Sequence, residues 1–374
     1  MLRPSASLAA CLVLAAPALG QVQTEPYESE QATFLVETVA EGLDYPWSIA
    51  FLPGGAMLVS EREGGLRVIE ADGTLREAPV AGLPDDVLVL RQGGLMEIAL
   101  HPDFEDNRIV YLSYAEGSED ANRTALYRAR LSEDLSRLEQ GEDIFRVNFD
   151  KAAGFHFGGR ILFQGDHLYL TLGEGGRYEE ESQNPENHLG GVVRLELDGT
   201  PAGADIGNGA PGLFTYGHRN VQGIDVNPST GSIWTVEHGP RGGDELNILE
   251  AGTNYGWPEI TYGINYDGTI VTEEREREGL AQPVWYWNPS IAPAGIAFYD
   301  GEAFEHWQGD LFVAALAGSQ LQRLEMDGDR VIGVEPLLAD AGLRFRDVKV
   351  GPDGALYVLV DDYEGAVLRI TPAG

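Results

Sequence analysis

Residues 215–258 read TYGHRNVQGIDVNPSTGSIWTVEHGPRGGDELNILEAGTNYGWP. Two apolar, β-branched runs, QGIDV from Gln222 and SIWTV from Ser232, flank the turn cluster NPSTG, and a third run, ELNIL, follows GPRGGD. Short alternating runs bounded by Pro, Gly, Asn and Asp are the mark of strands joined by tight turns. The polar groups of the stretch therefore fall at strand ends and in loops, where a rigid sheet usually carries binding and catalysis. Each also has a plain reading when taken singly. Arg219 can be a surface ion-pair residue, and Gly239-Pro240 is ordinary turn chemistry.

The same phrase recurs along the chain. It stands as WSIAFLPGGAMLVSEREGGLRVIEADG from Trp47, LMEIALHPDFEDNRIVYLSYAEG from Leu95 and GGRILFQGDHLYLTLGEGG from Gly158. After the copy at Gln222 come AGIAFYDGEAFEHWQGDLFVAALAG from Ala294 and RDVKVGPDGALYVLVDD from Arg346. Ile49, Ile98, Ile161, Ile224, Ile296 and Val348 occupy equivalent positions, roughly 50 to 70 residues apart, a spacing that signals propellers or solenoids. Helical periodicity is nearly absent, so the prediction is an all-β, six-bladed β-propeller of four-stranded antiparallel blades over residues 34–374. FLVETVA at Phe34–Ala40 has no blade of its own and is expected to pair with the last one, closing the ring and removing an exposed edge. A two-domain β protein is the alternative, but no linker separates the phrases. Residues 143–156, 177–189, 200–220 and 254–293 interrupt the repeat and are read as loops gathered on one face. The ERERE run around Glu274 is read as a solvated rim.

Of the 374 residues 43% are hydrophobic, and 25 Lys+Arg face 60 Asp+Glu for a net charge of -35. Such a polyanion argues against nucleic acid or an anionic membrane as partner. Residues 1–20, with Arg3 and the run LAACLVLAAPAL, read as a secretory signal peptide, and residues 21–33 as a polar leader. The run is too short for a membrane span, which needs about 20 apolar residues. The only cysteine, Cys11, leaves with the signal, so the mature chain has no disulfide or thiol chemistry. A lipoprotein box at Leu8–Cys11 comes too early in the apolar run to be used. The expected location is the periplasm.

In a chain so poor in cations, clustered arginines are informative. Gln92, His156, Arg219, Asn220, Arg344 and Arg346 all stand where the chain enters a blade, and a radial fold brings such positions to the axis. Converging arginines suit a multiply anionic ligand. Backbone oxygens at Gly239 and Pro240, with Glu245 nearby, suit a hard cation such as calcium. His156 in that setting is a candidate general base, or a histidine that only bonds a neighbour.

Seven motifs in order, QGGLMEIALHPDF, FHFGGRILF, YGHRNVQGI, EHGPRGGDELN, NYGWP, PSIAPAG and RFRDVKVGPDG, resemble the soluble pyrroloquinoline-quinone (PQQ) sugar dehydrogenases. The resemblance is to the periplasmic aldose dehydrogenase branch of the glucose/sorbosone dehydrogenase family, and it covers the chain from about Tyr45 to the end. It implies oxidation of an aldose at the anomeric carbon to a lactone, with hydride transfer to the quinone C5. His156 would be the proton acceptor. Gln92, Arg219 and Asn220 would contact the quinone, with Arg219 at the reactive carbonyl, and Tyr266 would be a cofactor-contacting tyrosine. Arg344 and Arg346 would hold the PQQ carboxylates. Gly239 and Pro240 would offer carbonyls to calcium, and Glu245 with Tyr255 would form a second calcium site. A lysine of the glucose-specific relatives is replaced by Ala317, and Glu174 stands where aspartate is commoner, its extra methylene putting its reach to His156 in question. Lacking a Cys-x-x-Cys-His haem motif, the chain would pass electrons to a separate quinone or cytochrome, as a monomer or homodimer. The alternatives are a calcium-dependent lactonase or esterase, which needs a ring of Asp, Glu and Asn around an axial metal, and a non-catalytic binding propeller.

Overall fold

The computed structural model describes residues 25–374; the signal-peptide reading of residues 1–20 lies outside the described residues. Six antiparallel sheets follow one another along the chain. The first strands of successive sheets, Pro46–Phe51, Leu95–Leu100, Ile161–Gln164, Val221–Val226, Pro293–Phe298 and Phe345–Val350, touch their neighbours in a closed cycle. That cycle makes the six-bladed propeller, with the first strand of each blade innermost. All six equivalent residues, Ile49 to Val348, sit buried on these inner strands.

Four of the second strands, Met57–Glu61, Ile233–Glu237, Leu311–Ala315 and Leu356–Val360, are buried at every position. Each blade has a neighbour on both faces, so its middle strands read as continuous apolar runs instead of alternating ones. Between the fourth and fifth blades, Trp234, Val236 and Leu246 pack against Ile296, Phe298 and Leu311. The next interface repeats the pattern with Phe312 and Tyr299 against Phe345, Val348 and Val358.

Thr33–Leu43 pairs with Gly365–Pro372, from Phe34 opposite Pro372 to Leu43 opposite Gly365. The last blade thus holds both ends of the described chain, as expected from the orphan run at Phe34. Tyr27–Glu28, within the leader, adds a short fifth strand. The first blade departs from four regular strands: beyond Gly65–Ile69, residues 74–80 run alongside with Arg76 N–H bonded to Val68 O and Val80 N–H to Leu66 O.

None of the four interrupting segments is wholly loop: 177–189 holds the 3-10 helix Glu179–Gln183, and the other three carry strands. Outer strands Leu138–Arg146, Leu213–Thr215 and Trp285–Trp287 begin or run inside them. They escape a reading by periodicity because an outer strand is exposed or only a few residues long. Among the described residues no helix is long and apolar enough to cross a membrane.

Candidate active site

At one end of the ring axis lies a cavity of about 290 Å³. Gln92, Asn220, Tyr266, Arg344 and Arg346 line it, so five of the anticipated residues converge there. Arg62, Trp47, Gln222, His238 and Asp361, which the sequence reading did not single out, line it too.

His156 and Arg219 do not themselves line it; His156 directly precedes Phe157 and Gly158, which do, and is 7% exposed. Its Nδ1 is 2.6 Å from Glu174 Oε1, and its backbone N–H donates to Gln92 Oε1 at 2.9 Å. A carboxylate only accepts, so Nδ1 carries the proton and Nε2 keeps its lone pair. The longer Glu174 side chain therefore does reach the imidazole. Its other oxygen accepts the Gly176 N–H at 2.7 Å, which fixes the carboxylate in place. Burial lowers the His156 pKa below the usual value; the Glu174 hydrogen bond opposes this, and the charge of Arg219 adds to the lowering. For Glu174 burial works upward, but bonding to His156 and the field of Arg219 leave its pKa net lowered. A neutral imidazole with an oriented free nitrogen is what a general base requires. Gly158 in the adjoining HFGGR motif has φ +67 and packs where a Cβ would come within 2.5 Å of Thr171 O, so a side chain is excluded there.

Arg219, also 7% exposed, donates through Nη1 to Gly239 O at 2.8 Å and His238 O at 3.1 Å, and its guanidinium lies 5.2 Å from the Trp257 ring centroid. Arg344 donates to Leu316 O and Asp361, and Arg346 to Gln222 Oε1 at 3.2 Å. The Nε–H groups of Arg62, Arg219 and Arg346 are buried without a partner. Burial, together with the neighbouring charges of Arg160, Arg62 and Arg344, lowers the Arg346 pKa despite the pull of Asp361. One carboxylate, Asp361, is shared by Arg344 and Arg346. Positive charge is in excess, and the unpaired donors call for an anion with several oxygens. His238 is neutral: burial first, then Arg346 and Arg219, lower its pKa to about 3, and it bonds Pro293 O at 2.8 Å.

The Gly239 and Pro240 segment follows His238 directly and is buried. Glu245 stands opposite Glu237 in the register of neighbouring strands, with Asn247 bonded to both and Asn247 Oδ1 left without a partner. Burial and then the charge of Glu237 raise the Glu245 pKa well above the usual carboxylate range. Two carboxylates and an idle amide oxygen form a donor set fit for a hard cation. The Tyr255 ring stacks on His218, which bonds Glu237 at 2.8 Å. Among the described residues no group of three or more His, Cys, Asp or Glu is arranged to hold a metal, so any ion here would lean on carbonyl and amide oxygens. The ring of carboxylates that an axial-metal hydrolase needs is not what lines the cavity.

Below the cavity the axis is plugged. Arg160 bonds Glu97 at 2.9 Å, Asp347 at 2.8 Å, Gln222 O at 2.7 Å and Arg346 O at 3.0 Å, and stacks 4.1 Å from the Trp47 ring centroid. Arg160 belongs to the HFGGR motif, yet only the fold shows that it ties four blades together.

A propeller with an arginine-lined axial pocket and a carboxylate-oriented histidine at its edge defines a binder of small polyanions equipped for proton abstraction. Comparison with known proteins narrows this class. The Glucose / Sorbosone dehydrogenase family model matches residues 43–369. Aldose sugar dehydrogenase YliI of Escherichia coli is 41% identical over 351 residues, covering 91% of this chain and 94% of that protein. A crystal structure of a glucose dehydrogenase superposes with a TM-score of 0.87 at 43% identity, covering 91% of this chain and 99% of its own. The PQQ-bound aldose sugar dehydrogenase of Streptomyces coelicolor gives a TM-score of 0.75 at 30% identity, covering 91% of this chain and 100% of its own. The chain belongs to the glucose/sorbosone dehydrogenase family.

Proposed function

We propose that this protein is a periplasmic, PQQ- and calcium-dependent dehydrogenase that oxidises aldoses at the anomeric carbon to lactones. The observation that carries the reading is the His156–Glu174 couple set beside a pocket lined by the partnerless guanidinium Nε–H groups of Arg62 and Arg346. The names of the relatives, and the PQQ held by the S. coelicolor enzyme, support the same reading.

PQQ is a tricarboxylate, and when bound it supplies the acceptor for the hydride that leaves the anomeric carbon. Arg62, Arg344 and Arg346 would hold its carboxylates. Arg219, Asn220, Gln92 and Tyr266 would contact the quinone end. The carbonyls of Gly239 and Pro240 would hold the calcium next to it, and Glu245 with Tyr255 a second ion. His156 Nε2 takes the proton of the anomeric hydroxyl as the carbon is oxidised. Glu174 keeps the reactive tautomer in place and stabilises the imidazolium that forms. Arg219 sets a fixed positive charge where negative charge develops, without rearrangement at the moment of reaction. The electrons then pass to a separate quinone or cytochrome.

The test is reconstitution of the mature chain with PQQ and calcium, following dye reduction with a panel of aldoses beside the His156→Gln protein. Turnover that needs both additions and collapses in the variant is the expected result. PQQ binding without turnover on any aldose overturns the substrate class, and failure to bind PQQ overturns the whole reading.

A further inference from the structure

Lys151 lies five residues before His156 and is 1% exposed, yet no carboxylate pairs with it among the described residues. Its Nζ donates to Phe155 O at 2.7 Å and Ala153 O at 3.2 Å, and sits 3.2 Å from the Phe157 ring centroid. Its main chain is anchored to the second blade by reciprocal hydrogen bonds with Asn122, at 2.9 and 2.8 Å. Phe155 O and the His156 N–H are the two ends of one peptide unit. Lys151 holds the first end and Gln92 Oε1 the second, at 2.9 Å. The next torsion along the chain is the φ of His156, which is +48. A non-glycine residue in the left-handed region is disfavoured and persists only where its surroundings enforce it.

We propose that Lys151 is a positioning residue for His156: with Gln92 it clamps the 155–156 peptide and so holds the imidazole against Glu174 with Nε2 free for the substrate. An ammonium suits the task because charge-assisted bonds to two carbonyls and an aromatic face are stronger than neutral ones. The titratable groups facing it are Glu174, whose charge favours the ammonium, and His156. Tyr178, packed on the same loop, accepts the Ala152 N–H through its hydroxyl. Asp150 next in sequence pairs with Arg123, and Arg91 lies over Phe155. Burial pushes the Lys151 ammonium down to about 7, so the clamp loosens within an accessible pH range. The catalytic consequence rests on the reading of His156 given above; the clamp itself does not.

The experiment uses Lys151→Met, which keeps the apolar stem and removes the charge. In cofactor-free protein, amide hydrogen exchange of His156 is expected to quicken about tenfold or more, with the imidazole Nδ1–H resonance broadened. In PQQ-loaded enzyme, kcat is expected to fall about 10–100-fold with KM little changed. Unchanged exchange and an unchanged Nδ1–H signal overturn the proposal. Loss of kcat at unchanged exchange also overturns it, since Lys151 would then act by charge alone. If the variant does not fold, the wild type is titrated with ¹⁵N-lysine labelling: the Lys151 Nζ and His156 Nδ1–H signals are expected to move in one step, and independent steps overturn the clamp. Absence of turnover in wild type would strike the proposed function while the exchange data still judge the clamp.

Discussion

Near the axis the arginines fall into two kinds, Arg160 in the plug and Arg62, Arg219 and Arg346 at or beside the cavity. In the plug, Arg160 finds four hydrogen-bond acceptors and an aromatic face. Arg62 and Arg346 in the cavity, and Arg219 next to the cavity-lining Asn220, each keep a buried Nε–H with no partner. The residue type is the same and the degree of satisfaction differs. A satisfied guanidinium welds blades together, whereas an unsatisfied one is kept at a cost in stability that a bound anion would offset. Full satisfaction by the chain's own acceptors marks Arg160 as structural, whereas an idle Nε–H marks a ligand-binding arginine only together with a place at the cavity, since Arg67 has one away from it.

The comparison breaks first at His156. His156→Gln is expected to lower turnover about 10³-fold while PQQ binding, followed by absorbance, stays within a few-fold, because a general base contributes roughly 10²–10⁴. Arg160→Met would leave Asp347 buried without its ion-pair partner and Glu97 with Lys349 alone. It should destabilise the fold by about 3–5 kcal/mol in chemical denaturation. Arg346→Met should do the reverse. Stability is expected to change by less than about 1 kcal/mol, while PQQ affinity falls about 10–100-fold, the loss of one or two charge-assisted bonds. If the two arginine variants behave alike, the distinction between plug and pocket fails.

A pH profile sharpens the contrast further. Because the His156 pKa is lowered and the neutral ring is the active form, kcat/KM should show no acid-side loss at the ordinary histidine value of 6.5. On the acid side it should fall about tenfold per unit once pH drops through the lowered value, and on the alkaline side it should decline as the Lys151 ammonium, pushed down to about 7, loses its proton. An acid-side fall already under way at pH 7 would contradict the burial of the ring. The smallest effect belongs to Glu174→Asp. The shorter carboxylate should cost about tenfold or less in kcat, read with its Tm, since Gly176 still bonds the neighbouring oxygen.

Much of this was open to a reading of the chain. Six phrases, each with an apolar residue at the same place in its first strand and an apolar run in its second, announced six blades, because a strand with a neighbouring blade on both faces is largely apolar. The closing strand at Phe34 was visible as a run without partners. The outer strands were not. Trp285–Trp287 is three residues long and its first two are exposed, so burial imposes no pattern on it. Cavity residues at blade entrances were legible from position, with Arg344 and Arg346 as examples. Arg62 and His238 were missed, although His238 stands directly before the Gly239-Pro240 pair and adjacency could have flagged it.

The sequence alone determined the architecture and the family, since repeating burial demands repeating hydrophobicity and ordered motifs identify kinship. It also supplied His156 and the cation scarcity that made arginines worth counting. Only the tertiary structure decided which arginines were spoken for, which nitrogen of His156 carries the proton, and that Lys151 and Gln92 grip one peptide from opposite ends. Some of those contacts join groups far apart along the chain, 64 residues for Gln92 and the His156 N–H and 187 for Arg160 and Asp347, and no local pattern encodes a partner that arrives only when the ring closes.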